Sequence, residues 1–234
     1  MAVPPDGTIA HTRWARLTAL AASVLVAVVT AVFGAAAPAA ATPRNPVIFV
    51  HGFLGEVKTD WSVLVEEFRK EGVTSLWEFT YWSPQSNKTT AQELAKAVDS
   101  VLAQTGAAKV DIVTHSMGGL NSRWYLKFLG GTSKVDAWVS LGGPNHGTGW
   151  AYACWVQACY DMRPGSGLLT TLNAGDETPG SVRYATWWSP CDGIINPDSS
   201  VILSGATNTK TGCIGHNSIP TNRTVAAQVV GFAM

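Results

Sequence analysis

Ser116 stands in Thr114-His115-Ser116-Met117-Gly118-Gly119, between an apolar run ending at Thr114 and a helical pattern beginning near Met117. A serine on a strand-to-helix turn has its hydroxyl lifted above the sheet edge, and the helix N-terminus favours negative charge developing beside it. The residue type and its place therefore suit a nucleophile. A helix cap is the bland alternative. The strand before, the glycine pair after and the partners downstream argue for chemistry. Such a turn wants small residues two before and two after the serine. Gly118 meets the second demand. Thr114 departs from the first, in a G-x-S-x-G pattern, and requires the turn to open slightly.

A serine hydroxyl needs a base. His51 and His115 sit inside backbone motifs, and His146 follows a strand in Gly-Pro-Asn-His. His216 lies in Gly212-Cys213-Ile214-Gly215-His216-Asn217, a tight loop before the last helical pattern, which suits a base that comes last in the order Ser, acid, His. The acid that holds the imidazole tautomer has six candidates after Ser116: Asp136, Asp161, Asp176, Glu177, Asp192 and Asp198. Asp192 follows a strand through Ser189-Pro190-Cys191 and is preferred. Asp198, the runner-up, also reads as a turn residue after Pro197. Two N–H donors would complete the site: Met117, after the nucleophile, and Phe53, in His51-Gly52-Phe53-Leu54-Gly55 after the first strand. No His, Cys or acidic cluster has metal-ligand spacing, so neither metal nor cofactor is expected.

These residues require a scaffold of alternating strands and helices. Apolar strands are read at 46–50, 75–82, 109–114, 135–141, 182–188 and 200–205. Helical patterns fall at 61–71, at 91–102 with Gly106 as the stop, at 117–129 before Gly130-Gly131, and from about 221 with Val225 and Val229. The alternation predicts an α/β fold, a mostly parallel sheet of about six strands with helices on both faces. Residues 144–180 break it with a Gly-, Pro- and Trp-rich stretch, a long loop or partial lid. Trp150, Trp155, Trp187 and Trp188 lie around that stretch and could line an acyl pocket or contact a lipid interface, with core packing the bland alternative for Trp187 or Trp188.

Residues 1–41 read as a secretory leader. Arg13 and Arg16 precede an uncharged apolar run from Leu17 to Phe33, and Ala39 and Ala41 fit a signal-peptidase site. A membrane anchor is the competing reading, and the small-residue site that follows at once argues against it. Residues 42–234 form one catalytic domain of ordinary size. The leader takes Asp6, Arg13 and Arg16 with it and leaves one net negative charge, which gives nucleic acid no basic surface. Cys154, Cys159, Cys191 and Cys213 form an even set in a secreted chain and read as two disulfides. Three pairings exist. Cys154–Cys159 with Cys191–Cys213 is the simplest, and the second bridge would tie the acid loop to the histidine loop.

The segments VIFVHGFLG, KVDIVTHSMGGL, VSLGGPNHGT, SPCDGIINP and GHNSI resemble the small secreted bacterial lipases and esterases grouped as class 2 lipases, within the α/β-hydrolase superfamily. The resemblance covers over half of residues 42–234 and is weak at 56–108 and 150–180. It implies lipase or carboxylesterase activity on acyl esters, with Ser116, Asp192 and His216 as triad and Phe53 and Met117 as oxyanion hole. The expected partner is an acyl ester or lipid, met at a lipid–water interface by a monomer outside the cell. Acyl transfer or polyester cleavage by the same residues is one alternative, and a non-catalytic lipid-binding module is another.

Overall fold

The computed structural model describes residues 44–55 and 59–234. The leader expected over 1–41 lies outside the described residues. Six strands form one sheet: β1 (Val47–Val50), β2 (Leu76–Phe79), β3 (Val110–His115), β4 (Val135–Leu141), β5 (Arg183–Trp188) and β6 (Thr207–Lys210), in the order β2-β1-β3-β4-β5-β6. Every neighbouring pair is parallel. Alternate residues of a strand face opposite ways. Ile48 and Val50 join a core with Leu94, Val98, Leu120 and Trp138, while Val47 and Phe49 join a second with Leu64, Phe68, Val225 and Val229. Both faces of β1 and β3 are covered, so every residue of both strands is buried; β1 is apolar throughout, and β3 also buries Asp111, Thr114 and His115.

The first core lies under α2 (Asn87–Thr105) and α3 (Gly118–Phe128), and the second under α1 (Ser62–Lys70) and α6 (Arg223–Ala233). Helix ends follow local chemistry. The Ser86 side chain caps α2 at the Lys88 N–H, and Gly106 ends that helix with φ 69°.

One expectation fails. Residues 200–205 are not a strand. A 3-10 turn spans Asp198–Val201, and Asn208 bonds the Leu203 N–H at 3.0 Å and the Leu203 carbonyl at 2.9 Å, closing a turn that keeps this stretch out of the ladder. Val201 and Leu203 are apolar because they plug the core from that loop. The sixth strand is the polar Thr207–Lys210. It lies at the sheet edge and is largely exposed, so no apolar run marks it.

Residues 144–180 are built rather than loose. They hold a 3-10 turn (Gly149–Ala153) and two short helices, α4 (Gln157–Met162) and α5 (Gly167–Asn173). The Asp161 carboxylate accepts from the Asn87 N–H at 2.8 Å, at the N-terminus of α2, where the helix dipole favours an anion. From α3, Lys127 Nζ donates to the carbonyls of Leu172, Ala174 and Asp176 at 2.7–2.9 Å. One turn earlier, buried Arg123 points its guanidinium at the carbonyls of Asn145 and Glu177. Burial pulls the Arg123 pKa down to about 10, against the pull of Glu177 and Tyr184.

Candidate active site

Ser116 follows β3 and precedes α3 with φ 54°, and Leu54 in the opposite loop has φ 53°. Among the described residues these are the non-glycine positions with left-handed backbone, and both belong to this site. Such conformations cost about 1–3 kcal/mol each and persist where the surroundings enforce them. The Ser116 N–H donates to Leu141 O at 2.9 Å, and the Leu54 N–H donates to Ser83 Oγ at 2.8 Å.

The tight contacts explain why Thr114 is tolerated. A Cβ on Gly118 would lie 2.5 Å from Val50 O and 2.7 Å from His51 O, and one on Gly52 would lie 2.6 Å from Ser116 Cβ. The close approach is thus between the start of α3 and the loop after β1. Thr114 is fully buried, and its hydroxyl donates to Val139 O at 2.9 Å on β4. The steric demand of the turn falls on Gly118 and Gly52.

His216 opens a 3-10 turn (His216–Ser218) between β6 and α6, and Asp192 lies just beyond β5. His216 Nδ1 is 2.8 Å from Asp192 Oδ2, and both side chains are buried. The other carboxylate oxygen accepts from the Ile194 and Ile195 N–H groups at 3.0 and 2.7 Å. The Asp192 carbonyl accepts the His216 N–H at 3.1 Å. Behind them, Ser189 Oγ accepts from the N–H groups of Cys191 and Ile214 and donates to Gly212 O. Cys191–Cys213 bridges the same two loops, and Cys154–Cys159 is the other disulfide. Asp198, the rival acid, accepts from its own neighbour Ser199 and opens a turn. His146 instead meets Glu177 at 2.8 Å and Ser200 O at 3.2 Å.

Ser116, His216 and Phe53 line one pocket of about 160 Å³, together with Trp150, Ile194 and Ile195. The Phe53 and Trp150 rings meet edge to face with centroids 6.2 Å apart. Met117 is buried at the N-cap of α3, so its N–H has no intrahelical acceptor. His51, stacked on Tyr81 at 4.1 Å and within 2.8 Å of Gly52 O, builds the loop that carries Phe53. Of the four tryptophans singled out, Trp150 lines the pocket and Trp155 is exposed. Trp187 is core, with its Nε1–H on Gln228, and Trp188 lies under the Lys210 ammonium. Among the described residues no group of His, Cys, Asp and Glu could hold a metal ion.

Sequence reasoning missed two contributors. Gly142 has φ 59°, and a Cβ there would lie 3.1 Å from Asp192 Oδ2 and 3.2 Å from His216 Nδ1, so the Asp192–His216 pair rests on a bare backbone. The Gly142-Gly143-Pro144 run directly after β4 is the sequence signal that could have found it. His115 is the other. It is buried beside His216, and burial first, then the neighbouring His216, pulls its pKa down to about 3.

The chain is similar to proteins of known class. Triacylglycerol lipase of Burkholderia plantarii is 32% identical over 155 residues, 60% of this chain and 41% of that protein. Triacylglycerol lipase of Pseudarthrobacter phenanthrenivorans is 32% identical over 143 residues, 57% of this chain and 43% of that protein. The chain therefore spans about four tenths of the length of these curated relatives. The mature lipase BlEst2 of Bacillus licheniformis shares the fold with a TM-score of 0.68 at 20% identity, over 80% of this chain and 90% of that one. Aspergillus fumigatus lipase B gives 0.69 at 21% identity, over 80% of this chain and 51% of that one. These structures establish the α/β-hydrolase fold. The profile of the class 2 lipases, "Lipase (class 2)", matches residues 44–211, from the start of β1 to the loop before His216, and the chain belongs to that family.

Proposed function

We propose that the protein is a secreted serine hydrolase that cleaves carboxylic esters of acyl lipids. Ser116 is the nucleophile, His216 the base and Asp192 the acid, and the Phe53 and Met117 N–H groups are the oxyanion donors. The observation that carries this reading is the buried His216–Asp192 pair at 2.8 Å, whose histidine lines the pocket that also holds a left-handed Ser116 at a helix N-terminus. The family and the two triacylglycerol lipases similar to this chain support the ester as substrate.

In the first step Ser116 Oγ bonds to the acyl carbon and its proton passes to His216 Nε2. Asp192 holds the Nδ1–H and stabilises the imidazolium. The carbonyl oxygen takes up negative charge against the two N–H donors. Loss of one such donor costs about 10²–10³ in kcat. The alcohol leaves with the proton of His216, and water then cleaves the acyl–Ser116 ester by the same transfers in reverse. The cavity, about 160 Å³, is below the roughly 300–1,000 Å³ that encloses a drug-sized ligand. It suits a short acyl chain, with any remainder lying along the exposed aromatics at 150–160.

Two disulfides support an oxidising compartment, reached through a leader ending near Ala41. Exposed Leu54, Trp150, Tyr152, Trp155 and Tyr160 support docking at a lipid–water interface. The test is turnover of p-nitrophenyl acyl esters by the purified protein. Activity is expected in the wild type and lost in Ser116→Ala. Retained activity in that variant overturns the assignment.

A further inference from the structure

We propose that His115 is a positioning residue for the base: its imidazole clamps the backbone of His216 to the strand that ends at the nucleophile. This rests on the reading of Ser116 and His216 given above. His115 is the last residue of β3, directly before Ser116, and lies 101 positions from His216. Its Nε2 is 3.1 Å from the His216 carbonyl oxygen. A carbonyl only accepts, so His115 carries its proton on Nε2. The two rings pack at 4.6 Å between centroids, tilted by 38°. Nδ1 of His216 is held by the Asp192 carboxylate, its N–H by the Asp192 carbonyl, and its own carbonyl by His115 and, within the same turn, by the Ile219 N–H at 3.3 Å, so His115 supplies the hold from β3. The first two holds fix the base to the acid. The third fixes it to the strand that presents Ser116.

The clamp works as a neutral ring. Burial is the largest influence and disfavours charge on His115, as do His216 and His51; the hydrogen bond to the His216 carbonyl and the Asp192 carboxylate favour it and are outweighed. A second imidazolium beside His216 would oppose proton uptake by the base. With His115 neutral, the proton of the reaction belongs to His216 alone.

Three variants test this: His115→Phe keeps a ring and removes the donor, His115→Gln restores a donor on a flexible side chain, and His216→Ala removes the base. His115→Phe is expected to lower kcat by about tenfold to a hundredfold with KM changed by less than about twofold. The midpoint of its kcat/KM pH profile should also move. His115→Gln should recover most of the rate. If His115 is only core filling, the loss in His115→Phe follows its melting temperature, the pH midpoint stays put and Gln does not rescue. Those results overturn the proposal. A readout on the wild type covers a variant that fails to fold. Nitrogen-15 imidazole spectra should show His115 as the neutral Nε2–H tautomer at pH 5, and an Nδ1–H tautomer or a charged ring contradicts the clamp. An active His216→Ala sinks the triad itself. An inactive His216→Ala beside a His115→Phe of wild-type kcat and pH profile sinks the clamp alone.

Discussion

The loops carrying Asp192 and His216 and the insertion at 149–173 each hold one disulfide, and each contributes to the wall of the same pocket. They put opposite chemistry at the surface. The acid–histidine loops bury their polar groups: Asp192 and His216 are each 6% exposed and Ser189 is fully buried. The insertion exposes its apolar groups: Trp155 is 74% and Tyr152 56% exposed. Burial strengthens every hydrogen bond in the first region and makes any unpaired group there costly, so each partner is specified. In the second, Trp155 and Tyr152 bury little on folding. Their area stays available to an apolar ligand, and the stretch that carries them is held by Arg163, which donates to the Ala151 and Cys154 carbonyls and lies over the Tyr152 ring, and by Asp161 on the start of α2. On the proposed reading, one region serves proton transfer and the other contact with the substrate.

The largest expected effect breaks the first region. Asp192→Asn keeps the shape and loses the charge, and kcat should fall by about 10³–10⁴ with little change in melting temperature. Steady-state kinetics with a soluble ester would measure it; a loss under tenfold would return the role of acid to another carboxylate.

Removing the disulfides compares the regions directly. Cys191→Ser with Cys213→Ser opens the longer loop and should cost about 3 kcal/mol in the chain-entropy model, with a fall in kcat. Cys154→Ser with Cys159→Ser should cost about 2 kcal/mol or less and leave kcat on short esters near the wild type. Urea unfolding gives the first quantity and initial rates the second. Equal kcat in both pairs would erase the contrast.

Acid should also find the first region. The folded-state pKa of His115 is about 3, below the ordinary 6.5. Between these values the unfolded chain binds a proton that the folded chain refuses, so this contribution to stability is present above about pH 6.5 and is lost as pH falls toward 3. The melting temperature of His115→Phe should fall less steeply than that of the wild type over this window, and parallel curves would contradict the assignment.

The smallest effects belong to the aromatic surface. Trp155→Ala with Tyr152→Ala should raise KM for long-chain or emulsified esters about threefold to tenfold and leave short soluble esters unchanged. Because the insertion is pinned, the rate on a short ester should cross its solubility limit without a step. A sharp rise there would show that the insertion moves.

These contrasts also explain what was legible in the sequence. The places of Ser116, Asp192 and His216 in the fold were, because each sits in a short motif beside a strand or in a tight loop, and local patterns carry that information. Five strands were: β1, β3, β4 and β5 are mostly buried and mostly apolar, and the half-exposed edge strand β2 still carries Leu76, Trp77 and Phe79. Thr207–Lys210 was not, since an exposed edge strand needs no such run, and Val201 and Leu203 imitated one from a turn. α4 and α5, of 6 and 7 residues, are too short for a helical period to stand out. The His115–His216 contact joins positions 101 apart, and no local spacing encodes it. Thr114 read as a departure because the crowding at Gly52 and Gly118 is visible only in three dimensions.

The central claim is that one serine, activated by the His216–Asp192 pair, carries the acyl group. Reaction of the folded protein with a fluorophosphonate, followed by peptide mass mapping, tests it most directly. A single adduct on Ser116 is expected, absent in Ser116→Ala and formed orders of magnitude more slowly in His216→Ala. Labelling at another residue, or undiminished labelling without His216, would contradict it.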